Sequence, residues 1–132
     1  MRSTAPAAAA FPALARRFTQ EMVNLYGEVN EDRNLIHYEA EAARKAGFPA
    51  PLVHGAMVAA LLSEACRAHF GAAWNHAGRL RITFIKPLFV GQAATTGGES
   101  AADGQTIQVW CRNEAGEDVL VGQADCAAGS GG

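Results

Sequence analysis

The stretch Gly55–Phe70, GAMVAALLSEACRAHF, constrains this chain more than any other. Ala, Met, Val and Leu crowd its first two turns on nearly every side. An ordinary surface helix shows one apolar stripe about 100° wide, whereas a helix apolar all round must be wrapped by other elements. Four strand-like segments follow it, at 79–89, 92–100, 105–113 and 119–127. Gly91, Asp103-Gly104 and Ala115-Gly116 punctuate them at hairpin spacing. Helices early and antiparallel strands late make an α+β chain, and a sheet curled around one buried helix satisfies the pattern.

Two further helices precede the buried one. Residues 18–28 place Phe18, Met22, Leu25 and then Val29 at helical spacing, with Thr19 as a cap and Met22, Val23 and Tyr26 facing inward. Asn30 to Asn34 is too polar and too rich in turn formers to continue that helix. Residues 38–46 form a short second helix, closed by Gly47, Pro49 and Pro51. The expected organisation is a leader at 1–16, one domain at 17–127 and a flexible tail at 128–132.

Composition excludes several classes. The 132 residues suit one compact domain. Eleven Lys and Arg against thirteen Asp and Glu leave a net charge of −2, too little positive field for a nucleic-acid partner. No apolar run reaches the roughly 18 to 20 residues that cross a bilayer, so no membrane partner is expected. Cys66, Cys111 and Cys126 are odd in number and far apart, which argues for buried thiols rather than a disulfide framework or a cysteine-based zinc site. The first seventeen residues hold no acid and an alanine-rich stretch broken by Pro6 and Pro12. That composition fits a transit peptide better than a secretory signal, and a leader running into the fold better still. Cytoplasmic is the expected location.

Four polar groups stand out. Asp32 and His37 lie five apart in an irregular segment, with Asn34 between them. A carboxylate and an imidazole on one loop can face a common water and share its proton. The plain alternative is a helix-capping Asp32 and a surface His37. Asp32, His37 and His54 are also of metal-ligand type, but no H-x-x-x-H or H-x-E pair supports a metal site, and none is expected. His54-Gly55 stands where the buried helix begins, and helix N-termini carry unsatisfied N–H groups and partial positive charge. Glycine there lets a ligand oxygen approach the backbone, and such a site can hold a carbonyl oxygen that becomes enolate-like. Ser63, about 12 Å further along the helix, is expected to line the same cavity, unless it is a buried serine bonded to its own helix.

Three motifs in order, EDRNLIH, GFPAPLVHGAM and FIKPLFVGQ, resemble those of the MaoC-like (R)-specific enoyl-CoA hydratases and dehydratases. The resemblance runs from about Arg17 to Ala127. It implies a hot-dog fold, with five antiparallel strands around the helix from Gly55 and a second copy completing a homodimer. It further implies Asp32 and His37 as catalytic groups, the Gly55 amide as oxyanion donor, and Asn34, His54 and Ser63 in the substrate site. Leu35 stands where the family has proline, Ala56 where methionine is common, and Gln92 where an acid is usual. These departures bear on acyl specificity more than on the chemistry.

The activity this resemblance implies is reversible hydration of a trans-2-enoyl thioester to the (R)-3-hydroxyacyl thioester. No cofactor is required, and coenzyme A enters only as the carrier of the acyl-thioester substrate. Arg79, Arg81, Lys86 and Arg112 are the candidates, by charge, to meet its phosphates. A hot-dog acyl-CoA thioesterase, or a non-catalytic acyl-binding hot-dog subunit, is the alternative.

Overall fold

A computed structural model describes residues 10–127; most of the expected leader and the tail lie outside the described residues. In chain order the elements are β1 (Ala15–Arg17), α1 (Gln20–Asn30), a 3₁₀ turn (Leu35–His37), α2 (Ala40–Lys45) and α3 (Gly55–Phe70). Then come α4 (Trp74–Ala77), β2 (Gly78–Phe84), β3 (Ala93–Ser100), β4 (Ile107–Arg112) and β5 (Asp118–Cys126). The five strands form one antiparallel sheet in the order β1-β3-β4-β5-β2.

The sheet wraps α3 as its sequence demands. Val58, Leu61, Leu62, Ala65 and Cys66 project from α3 into the core. They meet Ala94, Ile107, Val109, Cys111, Val119, Leu120 and Ala124 from the strands. The wrapping is one-sided, however. Ala56, Ala60, Glu64 and Arg67 are exposed along the opposite face of α3, so the all-round apolar character is not used up within one chain.

The hairpins form where glycine punctuation placed them. Gly104 and Gly116 have φ of 74° and 78°. At the first turn Asp103 accepts the N–H groups of Gln105 and Thr106, and at the second Asn113 accepts those of Ala115 and Glu117. The first long strand is shorter than expected, ending at Phe84 rather than 89. Lys86-Pro87 ends it, because proline has no N–H for a ladder. The chain then bends so that the Ile85 and Lys86 amides both donate to the Val119 carbonyl.

Other boundaries shift for local reasons. The first helix runs Gln20–Asn30, with Thr19 accepting the Met22 N–H and Glu31 closing it at φ 56°. The second helix holds only Ala40–Lys45, and Tyr38 stands outside it. The three-residue β1 lies partly in the stretch read as leader. Thr96 anchors that stretch by accepting the Leu14 N–H and donating to the Pro12 carbonyl. Phe11, only 9% exposed, packs over Gly98, where a Cβ would meet the ring at 2.8 Å.

Candidate active site

The loop after α1 is built by its own polar residues. The Asp32 N–H donates to the Gly27 carbonyl, which finishes the helix. Asp32 Oδ1 then accepts the Asn34 N–H at 3.0 Å, and Asn34 Oδ1 accepts the Ile36 N–H at 3.2 Å. Those two side chains turn the backbone into the 3₁₀ turn that ends on His37. Leu35 therefore starts this turn without proline, because Asn34 caps it. The Leu52 amide donates to the Ile36 carbonyl, and His37 Nδ1 donates to the Leu52 carbonyl at 2.9 Å. A carbonyl only accepts, so Nδ1 carries the hydrogen and Nε2 is left with a lone pair in the neutral ring. That Nε2 lies 3.8 Å from Asp32 Oδ2.

His54 completes a cluster of three. The residue is 3% exposed, and its ring stacks on His37 with centroids 3.9 Å apart and sets Nδ1 3.2 Å from Asp32 Oδ2. Nε2 faces the Val23 carbonyl at 3.3 Å and the Tyr38 hydroxyl oxygen at 3.4 Å. Tyr38 donates its own hydrogen to the Asp32 carbonyl at 2.5 Å. The Asn34 N–H, followed by the charges of His37 and His54, holds the Asp32 carboxyl below the ordinary carboxylate range. Burial, reinforced by His37, pulls His54 below the usual imidazole value, while Asp32 and the Val23 carbonyl pull the other way.

Tyr38 and Gly27 escaped the sequence reading. A Cβ at Gly27 would collide with the Tyr38 hydroxyl oxygen, so this mid-helix glycine gives the phenol its room. Glycine costs a helix interior roughly 1 kcal/mol against alanine, and that was the available signal.

The site opens on two recesses. Asp32 borders one of about 530 Å³ together with Gly27, Arg33, Leu35 and Tyr38. His37 and Gly55 border another of about 320 Å³, walled by Leu52, Val58, Phe84, Ile85 and Leu88. The start of α3 has no side-chain cap, because the His54 ring turns toward Asp32 instead. The Gly55 amide thus stands at an apolar cavity with the helix dipole behind it. The Phe84 ring lies over Gly55, 3.0 Å from where a Cβ would stand.

The expected site residues are not all gathered. Asp32, His37, His54 and Gly55 come together, and Asn34 holds their loop. Ser63 does not join them within one chain. It accepts the Trp74 Nε1–H at 3.0 Å and lines a separate recess with Ala60, Glu64 and Arg67, because eight residues of helix carry it away. Of the four cations, only Lys86 lines the His37 cavity, and it pairs with Glu117 at 2.8 Å. Arg79 pairs with Asp125, and Arg112 pairs with Asp118 while lying over the Trp110 ring. Gln92 replaces an acid yet does an acceptor's work, taking the Phe89 N–H at 2.9 Å. The ligand atoms of Asp32, His37 and His54 lie within 4.8 Å of one another. Two rings only 25° from parallel converge poorly on one ion, however, since their lone pairs lie in the ring planes.

A five-stranded antiparallel sheet around a central helix, with an aspartate–histidine loop at the helix start, is the hot-dog architecture the motifs implied. The chain belongs to the MaoC like domain family, whose pattern matches residues 4–117. It is similar to a mitochondrial 3-hydroxyacyl-[acyl-carrier-protein] dehydratase of Arabidopsis thaliana, 38% identical over 76 residues, 58% of this chain and 45% of that protein. The chain spans less than half the length of the curated relatives it matches. Among solved structures, HtdX of Mycobacterium tuberculosis is 30% identical with a TM-score of 0.69, covering 87% of this chain and 47% of that one. An (R)-hydratase from A. caviae involved in PHA biosynthesis superposes with a TM-score of 0.73 at 21% identity, over 92% of this chain and 96% of that one. No helix among the described residues is long and apolar enough to cross a membrane.

Proposed function

We propose that this chain is a hydro-lyase acting on acyl thioesters, adding water reversibly across a trans-2-enoyl thioester to give the (R)-3-hydroxyacyl thioester. One observation carries the reading. The free nitrogen of His37 stands at an apolar cavity shared with the uncapped start of α3, and Asp32, on the neighbouring recess, lies 3.8 Å from that nitrogen. A thioester carbonyl on the Gly55 N–H would bring Cα and Cβ toward the two proton-transfer groups, and its acyl chain would lie along Val58 and Leu88. The Gly55 amide and helix dipole would stabilise the negative charge that develops on the oxygen. His37 Nε2 and Asp32 would take the proton from water and return one to Cα. Coenzyme A or another thioester carrier enters with the substrate and leaves with the product.

A second copy is part of this proposal. Strand β2 is a sheet edge, and beside it Phe84 and Ile85 are each 53% exposed. Exposed edges and apolar side chains of this kind are covered in stable proteins. A two-fold homodimer using the β2 edge and the open face of α3 would cover both. Sedimentation at micromolar concentration should show the dimer.

The deciding assay uses crotonyl-CoA. Loss of the conjugated enone absorbance without release of free thiol supports the hydro-lyase. Thiol release with the enone intact would replace it with a thioesterase.

A further inference from the structure

The amide at the start of α3 is reached past one aromatic ring. The Gly55 N–H has no hydrogen-bond partner among the described residues, and Gly55 itself is exposed. One edge of the Phe84 ring stands against it. Cε1, Cζ and Cδ1 lie 3.0, 3.1 and 3.6 Å from where a Cβ at residue 55 would be. A methyl there would crowd the ring, so the missing side chain at Gly55 leaves a narrow gap between the amide and Phe84.

Backbone bonds on both sides fix that gap. Phe84 is the last residue of β2 and pairs with Leu120 of β5. The next two amides, Ile85 and Lys86, share the Val119 carbonyl at 2.8 and 3.2 Å. The Val53 amide, just before the helix start, donates to the Leu88 carbonyl at 2.8 Å. Phe84 and Gly55 are thus tied to each other through hydrogen-bonded chain. Both line the cavity of about 320 Å³ that also holds His37, Val58 and Leu88. The Phe84 residue is 53% exposed, so its ring is the outer wall of that cavity rather than part of the core.

Resting on the hydro-lyase reading, we infer that Phe84 is a specificity-determining residue that admits acyl groups unbranched at Cα and turns away those carrying a methyl there. A thioester oxygen on the Gly55 N–H places the carbonyl carbon beside the amide. The sulfur side leads to the carrier, which is common to all substrates. Cα is the first acyl atom beyond the carbonyl to enter the cavity that Phe84 walls, so it passes between Gly55 and the ring. In a straight 2-enoyl group Cα carries a single hydrogen. A methyl in its place needs room that the ring occupies. Phe84 selects by shape alone, since an apolar ring offers neither proton nor charge.

Crotonyl-CoA and tiglyl-CoA, its counterpart with a methyl on Cα, test the selection in turnover. The unmodified protein should favour crotonyl-CoA in kcat/KM, and Phe84→Ala should narrow the ratio about tenfold or more. Phe84→Leu keeps an apolar side chain at the sheet edge and should fall between the two. An unchanged ratio in either folded variant would overturn the inference. Butyryl-CoA and 2-methylbutyryl-CoA form the saturated pair, and their Kd values from calorimetry involve no chemistry. The unmodified protein should bind butyryl-CoA the more tightly, with Phe84→Ala again narrowing the difference. Equal affinities in the unmodified protein would overturn the selection even where enoyl hydration is found. A binding preference that depends on Phe84, with no turnover of any enoyl thioester, would remove the hydro-lyase reading and leave the selection standing.

Discussion

His37 and His54 lie face to face, their centroids 3.9 Å apart and their planes 25° from parallel, and both reach the same carboxylate oxygen of Asp32. Their outer nitrogens are tied to different backbone carbonyls, Leu52 for one ring and Val23 for the other. Each ring is thus oriented by a rigid neighbour. The two form layers, with His37 toward the cavity and His54 behind Asp32.

Gly27→Ala tests how tightly the phenol behind that layer is held. Alanine favours the helix by roughly 1 kcal/mol, but here its methyl would stand on the Tyr38 hydroxyl oxygen. Overpacking of this kind costs about 1–3 kcal/mol, so the collision should win and lower the melting temperature. Activity should fall as well, because displacing Tyr38 frees the Asp32 carbonyl. Thermal unfolding and kcat measured on the one variant check both effects, and a stabilised, fully active protein would contradict the geometry.

The thiols should separate cleanly. Cys66 and Cys111 are fully buried, and burial pushes both up to about 12. Thiolate is the reactive form, so neither should react in the native protein near neutral pH. Cys126 is only partly buried. A thiol reagent should label one cysteine quickly and the other two only on unfolding, and Cys126→Ser should abolish the quick phase.

Acid should destabilise the fold through its surface carboxylates. Arg16 holds Glu64 below its ordinary value by a bidentate pair at 2.6 and 3.1 Å. The Ala93 N–H does the same for Glu114, Lys86 for Glu117, and the Thr106 N–H for Asp103. A carboxyl with a lower pKa in the folded state binds fewer protons there than in the unfolded chain. Its stabilisation is present above the unfolded pKa, about 4, and is lost as pH falls through the folded value. Melting temperature should therefore begin to fall below about pH 6.5, where the unfolded chain protonates His54 more readily than the folded protein does, and decline further below about 4 as these carboxylates protonate. Salt should shrink the decline, since these pairs are exposed.

Much of this architecture was legible because its signals are local. The span of α3 and the glycine turns follow from residue type and spacing alone. Tertiary contacts set the rest. Three-residue β1 has no periodicity to read, and it is a strand only because Thr96 and β3 receive it. Tyr38 fits a helical pattern, yet its hydroxyl is held by Asp32 and its ring by His54. In the site, the order of motifs located Asp32, His37 and Gly55. It could not show that His54 lies behind Asp32 or that Ser63 bonds Trp74, because both depend on which way a side chain turns.

The dyad itself carries the most decisive expectation. If Asp32 and His37 handle one water, Asp32→Asn and His37→Gln should each cost orders of magnitude in kcat. Each substitution keeps the shape and removes a group that moves the proton. The double variant should be little worse than either single one, because groups acting as a unit are strongly non-additive. KM should change little, since neither side chain is assigned to the carrier end of the substrate. The contrasting case is a purely structural loop. There Asp32 would serve only to accept the Asn34 N–H at 3.0 Å, and losing that cap would cost about 1 kcal/mol of stability with turnover intact. Steady-state kinetics beside thermal melts for the three variants separate the cases. Near-normal turnover in a folded Asp32→Asn protein would remove this dyad from the chemistry, whatever the fold around it.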